Sequence, residues 1–353
     1  MIDHRLLPDY KMSPNKVLVT GGAGYIGAHT VVELASSGFE PIIVDDLSRG
    51  SKSLIEGSQQ IIGRKLEFHT VDCADRELLA RIFEKHPDLS AVIHFAAFKS
   101  VKESVEKPLS YYRNNIDSLL SLLEVMEAHA VANLVFSSSC TVYGQPDTIP
   151  VAEDAPFKKP ESPYGATKQM CEQILADAIK ANPKLRVVSL RYFNPVGAHP
   201  SGLIGEIPSG VPDNLLPYIT QTAIGLRKKV TVFGNDYSTP DGSCLRDFIH
   251  VADLAVAHVA ALKKIESLPN RYEAINLGSG IPCSVLELIN TFTKVTGIKV
   301  NYEIGPRRPG DIEKVFADPA KSRKLLNWNT KLSTEDALRD AWNWEQKINH
   351  ATH

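Results

Sequence analysis

Regular patterning begins at residue 16. Residues 16–20, Lys-Val-Leu-Val-Thr, are a short apolar, β-branched run of the kind that forms a strand buried on both faces. The run leads directly into Gly21-Gly22-Ala23-Gly24-Tyr25-Ile26-Gly27 and then into a helical pattern over 28–37, with Gly38 where that helix should stop. Apolar runs at 41–46, 66–72, 91–95, 134–139 and 186–191 predict five more strands. Helical spacing at 77–86, 115–129 and 164–181 predicts the helices between them. Strands alternating with helices of ten residues or more predict βαβ units, and hence an α/β, doubly wound parallel sheet with helices on both faces.

The rhythm changes after Asn194. Residues 195–217 are rich in Gly and Pro and read as a long loop, which in a compact domain usually serves function. Shorter strand-like and helical pieces follow at 230–233, 251–264, 274–277, 284–296, 299–303 and 333–348. They predict a smaller mixed α/β unit. The expected division is a loose lead-in over 1–14, a dinucleotide-binding domain over 15–193, and a substrate domain over 194–353, some of whose segments return to the first.

Composition narrows the function classes. The chain has 353 residues, 43% apolar and 23% charged, as in a soluble globular protein. A formal net charge of −2 argues against nucleic acid or a membrane surface as main partner. The five cysteines are scattered, odd in number and without zinc-ligand spacing, which suits free thiols in a reducing cytoplasm and predicts no metal. No apolar run approaches the roughly 18 residues of a membrane span. Residues 1–14 carry charges and two prolines and lack the apolar centre of a secretory signal.

Three clusters carry candidate chemistry. Gly21, Gly24 and Gly27 lie at a strand-to-helix turn, where glycines admit a tight turn and close approach to a pyrophosphate, and the helix N-terminus supplies free N–H groups. Asp45, about 20 residues on, ends the second strand; such an acid accepts hydrogen bonds from ribose hydroxyls and repels a 2′-phosphate, favouring NAD over NADP. Asp46 beside it reads more simply as a solvated turn residue. Ser139 and Thr141 follow a strand end, where doubly wound sheets bind ligands, and can reach a substrate hydroxyl. Tyr164 and Lys168, four residues apart, share one helical face. A neighbouring cation lowers a phenol's pKa, so Lys168 is expected to help Tyr164 act as a base. A lowering of about three units needs roughly 4 kcal/mol, which one ammonium in a partly dry site, helped by a second positive charge such as an oxidised nicotinamide, can supply.

Together these residues resemble the extended short-chain dehydrogenase/reductase family, with its Rossmann sheet. Further segments, among them His94-Phe95-Ala96-Ala97-Phe98-Lys99, Arg191-Tyr192-Phe193-Asn194-Pro195-Val196-Gly197 and Arg246-Asp247-Phe248-Ile249-His250, are similar to its UDP-glucose (UDP-galactose) 4-epimerase branch, from about residue 16 to 344. The resemblance implies that Tyr25, Ile26, Asp45, Asp72, Phe95, Lys99, Asn114 and Phe193 line an NAD site. It implies that Ser139, Tyr164 and Lys168 are catalytic with Thr141 assisting, and that Asn194, Asn214, Leu215, Phe233, Arg246, Phe248, Arg308, Asp311 and Val315 hold a UDP-sugar. Phe248 stands where many such enzymes have Tyr. Val315 stands where some have a bulky Tyr, which leaves room for an N-acetylated sugar. The implied reaction inverts carbon 4 of UDP-galactose or UDP-glucose through a 4-keto sugar, in a homodimer. A 4,6-dehydratase is disfavoured because positions 139–141 hold no carboxylate. A UDP-pentose 4-epimerase uses the same chemistry, and a non-catalytic NAD-binding sensor would not need Tyr164 with Lys168.

Overall fold

Seven strands form one parallel sheet in the computed structural model, which describes residues 15–308 and 312–350. The expected lead-in over 1–14 and the expected sugar contact Asp311 lie outside the described residues. In chain order the first six strands are β1 (Lys16–Thr20), β2 (Glu40–Val44), β3 (Glu67–His69), β4 (Leu89–His94), β5 (Asn133–Ser139) and β6 (Arg186–Tyr192). The seventh, β10 (Tyr272–Leu277), comes from far along the chain and pairs with β6, so the sheet runs β10-β6-β5-β4-β1-β2-β3.

The continuous apolar runs are explained by burial on both faces. Side chains alternate along a strand, so Val17 and Val19 enter one core while Leu18 enters the other. On the first face lie α1 (Tyr25–Ser36) and α8 (Val251–Lys264), which contribute Val31, Leu34, Leu254 and Ala257. On the second lie α3 (Arg76–Lys85), α5 (Pro108–Ala128) and α6 (Pro163–Ala181), which contribute Leu79, Phe83, Leu119, Leu122 and Leu175.

Several element bounds differ from the pattern-based expectation. α5 starts seven residues before 115, because Pro108 provides a preset φ at the first helical position. Two helices near the crevice, α2 (Lys52–Ile62) and α4 (Val101–Glu106), were not expected from the pattern. The first does carry a helical spacing, with Leu54, Ile55 and Ser58 on its buried side, whereas the second is six residues long with only one buried residue, Ser104, and is too short to show a period.

The segments at 251–264 and 274–277, assigned by rhythm to the smaller unit, pack on and into the large sheet as α8 and β10. What remains after residue 194 is built around β7 (Asn194–Val196), β9 (Leu245–His250), β11 (Pro282–Ser284) and β13 (Lys314–Val315), together with the pair β8 (Val230–Phe233) and β12 (Tyr302–Gly305). Helices α7 (Leu215–Ala223), α9 (Val285–Thr296) and α11 (Thr334–His350) cover them, with a core of Leu216, Ile219, Leu288, Phe292 and Leu338. A further helix, α10 (Ala320–Leu326), packs beside α8 and β10. Among the described residues no helix is long and apolar enough to cross a membrane.

Candidate active site

The chain leaves β1 for β2 and β3 on one side and returns to β4 on the other. A doubly wound sheet opens a crevice at such a reversal, beyond the carboxyl ends of the strands. Here a cleft of about 570 Å³ lies there. All eleven residues expected at the cofactor, and all four expected to be catalytic, line it, as do Asn194 and Asn214.

The glycine loop is shaped by contact. Gly21 has φ +71°, and a Cβ there would lie 2.7 Å from the Ala96 nitrogen. A Cβ on Gly27 would lie 2.2 Å from the Gly21 oxygen, so only glycine lets α1 start this close to β1. Gly24 caps α1 without any side-chain hydrogen bond, leaving the helix N-terminus open for an anion. Asp45 is buried and accepts hydrogen bonds from the Ala23 and Leu47 amides at 3.0 and 2.9 Å. Burial pushes its carboxyl up, while those two amides pull it down. Each carboxylate oxygen accepts one of these bonds and keeps a further lone-pair site for a ligand hydroxyl. Asp72 turns back to the Ala74 amide at 2.9 Å, and Asn114 donates to the Asn115 amide oxygen at 2.9 Å.

Ser162 and Pro163 start α6. The Ser162 hydroxyl accepts the Gly165 amide at 3.2 Å, a cap of about 1 kcal/mol, and places Tyr164 and Lys168 on the first turns of the helix. Ser139 lies near enough to Tyr164 to influence its phenol, and the Ser139 hydroxyl accepts the Thr141 amide at 3.2 Å. The Thr141 hydroxyl is buried without a protein partner, in a residue that lines the cleft.

Burial sets the charge balance of this pair. Burial pushes the Tyr164 phenol up from its ordinary value, with the Ser139 hydroxyl opposing. The Lys168 ammonium lies 5.9 Å from the Tyr164 ring centre and donates to the Ser137 carbonyl at 2.7 Å, so it does not by itself hold the phenol low. Burial also brings Lys168 down to about 8.

Of the remaining described sugar-side residues, none lines this cleft, and Arg246, Phe248 and Val315 are tied to it through the second sheet. Asn194 pairs in register with Phe248, and Arg246 with Val315. Arg246 and Phe248 share a strand face, and the Arg246 charge is felt at Cys140 in the cleft wall. Phe248 is buried in the smaller core; Leu215 opens α7 against the same core. Val315 packs with Phe193 and Tyr143. Arg308 lies over the half-exposed Phe233 ring, 5.2 Å from its centre.

Sequence reading missed several residues that organise the site. Glu206, from the long loop, accepts the Lys99 ammonium at 2.7 Å and the Asn214 amide at 2.6 Å on one oxygen, tying a cofactor-side to a sugar-side residue. Asn115 clamps the Phe98 backbone through both its N–H and C=O and also donates to Thr167. Glu172, one turn beyond Lys168, accepts two bonds from Arg191 at 3.0 and 2.7 Å, one from Ser138 and one from Tyr272. Its i+4 spacing from Lys168 was the signal available in the sequence. Tyr192 lines the cleft and is 2.5 Å from His258.

Residues 17–278 match the family model described as NAD dependent epimerase/dehydratase family. The chain is 49% identical over 331 residues to a Dictyostelium discoideum protein named UDP-glucose 4-epimerase, covering 94% of this chain and 96% of that one. It superposes with a TM-score of 0.91, at 45% identity, on a Bifidobacterium longum UDP-glucose 4-epimerase solved with NAD+ and UDP, covering 95% and 99% of the two chains. A Stenotrophomonas maltophila UDP-glucose-4-epimerase with bound NAD and formylated UDP-arabinopyranose gives 0.92 at 47% identity, covering 96% and 99%.

Proposed function

The chain belongs to the NAD dependent epimerase/dehydratase family, and from that premise we infer that it interconverts UDP-galactose and UDP-glucose by NAD-dependent oxidation and reduction at carbon 4. The observation that carries this reading is the meeting of Ser139, Thr141, Tyr164 and Lys168 with the glycine loop and Asp45 in one cleft. The residues fit a dinucleotide. The open N-terminus of α1 takes the pyrophosphate, and the Asp45 carboxylate takes the adenosine ribose. When bound, NAD would supply the acceptor and donor of hydride at carbon 4 and, in its oxidised form, a positive charge.

The chain's own groups manage the proton. Tyr164, in its ionised form, takes the 4-hydroxyl proton as the 4-keto sugar forms and returns it afterwards. Ser139, beside Tyr164, shares that proton, and the unpartnered Thr141 hydroxyl holds the sugar in reach. Lys168 keeps positive charge on the same face. Arg246 and Arg308 are assigned the diphosphate, which a guanidinium fork matches, and Asn194 and Asn214 the sugar and nucleotide. On this reading residues 194–353 mainly hold the UDP-sugar, and the active species is a cytoplasmic homodimer. The small side chain at Val315 extends the reading to UDP-N-acetylhexosamines.

The test is to incubate the purified protein with UDP-galactose and no added NAD. UDP-glucose should appear, and Tyr164→Phe should lose turnover by orders of magnitude while retaining NAD. Unchanged sugar beside tightly bound NAD would instead indicate a sensor. UDP-xylose and UDP-N-acetylglucosamine in the same panel define the sugar range.

A further inference from the structure

The outer strand of the large sheet carries a cluster that the epimerase chemistry does not use. Glu67 and His69 lie two apart on β3 and so share a strand face, and His86 ends α3 beside them. The Nε2 atoms of His69 and His86 lie 2.9 and 3.0 Å from one oxygen, Oε1 of Glu67. The ligand atoms of all three residues lie within 4.8 Å of one another. His86 is buried, and His69 and Glu67 are partly buried.

We propose that Glu67, His69 and His86 form a binding site for one divalent cation of the zinc type, closing the β3 edge of the sheet onto the end of α3. Two imidazoles and a carboxylate select late first-row metals over magnesium or calcium, which prefer all-oxygen sites. In a tetrahedral zinc site with bonds of about 2.0–2.1 Å the ligand atoms are about 3.4 Å apart. The two measured nitrogen–oxygen edges are therefore short by only a few tenths of an ångström. The place next to the carboxylate already attracts a cation: the Lys85 ammonium sits 2.6 Å from the same Oε1. Lys85 is mostly exposed and can swing into solvent, so a dication competes with a tethered monocation.

The structure also limits the affinity. A metal-bound imidazole normally donates its other N–H to an acceptor, and loss of that support costs about 10–100-fold. Nδ1 of His86 is buried without a partner, so one of the two imidazoles lacks that support. Occupancy would brace the strand whose continuation carries Asp72, and whose last carbonyl accepts the Asp45 amide at 3.2 Å.

The experiment is a cobalt and zinc titration of the full, tag-free chain after chelator treatment. The expected result is one equivalent bound, with the intense visible absorption of tetrahedral cobalt. That band should vanish in His86→Gln, and zinc should bind at least about tenfold more weakly in His69→Ala. His69 is partly exposed, and unchanged circular dichroism and melting would show that this variant folds. Lys85→Met, which removes the competitor, should bind zinc more tightly. Absence of the cobalt band, or zinc binding that survives the loss of His69 unchanged, overturns the proposal.

Discussion

At Tyr164 two influences compete. An ammonium about 6 Å from a phenolate contributes on the order of 3 kcal/mol at an effective dielectric of 20, or about two pKa units. Full burial moves a group the other way by up to 3–5 units. Burial wins, so the base needs a second cation beside Lys168. The residue types were legible in the sequence at their i, i+4 spacing. Their protonation was not, because it depends on how dry the finished cleft is. Lys168 makes the point measurable. Its folded pKa of about 8 lies below the ordinary 10.5, so between those values the unfolded chain holds a proton that the folded chain has lost. Stability contributed at this position therefore rises with pH across the window. Melting of the wild type relative to Lys168→Met, free of cofactor, should improve from pH 8 to 10. A difference that stays flat would contradict the burial of that ammonium.

The elements that hold the pair in place depend on one ionic node. Glu172 and Arg191 are almost fully buried, and they connect α6 to β6. Arg191 also donates to the Tyr143 hydroxyl at 2.9 Å, which donates to Asn276 of β10 at 2.6 Å. Ser138, next to Ser139, donates to Glu172. β5, β6, β10 and the middle of α6 are thus pinned around a single carboxylate. Removing one partner of such a pair leaves a buried unpaired charge and costs about 3–5 kcal/mol. Glu172→Ala should lose that much in denaturant unfolding and lower turnover as well, since Ser139 and Lys168 lose their backing. A loss below about 1 kcal/mol would show that the node does not carry the fold. Periodicity showed that these strands and helices exist, because their apolar runs are continuous. It did not show the node, since a polar residue in a helix reads the same whether it faces water or a buried arginine. The strand β9 was hidden for a similar reason: Arg246 and Asp247 interrupt its apolar pattern, although Asp247 is fully buried and accepts bonds from Ser279, Gly280 and Ala317.

For the whole molecule, the apolar stripes of α5 and α6 are mostly spent on the parent sheet, as Leu119, Leu122 and Leu175 show. What stays exposed is Val101 and Val105 on α4, Leu109 and Leu120 on α5 and Met170 on α6, with Leu109 81% exposed. A second copy that covers this face predicts a solution mass of about twice 38.8 kDa, and Leu109→Glu should shift it toward one. Light scattering decides the point, and a single-chain mass for the wild type would refute it. The alternating strands and helices made the parallel sheet legible, but not its last strand, because nothing local in residues 272–277 says which sheet they join. That late strand also has a consequence in time. On a ribosome adding about 5–20 residues per second, β10 emerges roughly 4–17 s after β6. Until then β6 waits as an open edge, and Asn276 and Tyr272 are missing from the node behind Ser139 and Lys168. The catalytic half of the chain is therefore synthesised early but assembled late, and a nascent chain stopped short of residue 277 should have its tyrosine and lysine without the means to hold them still.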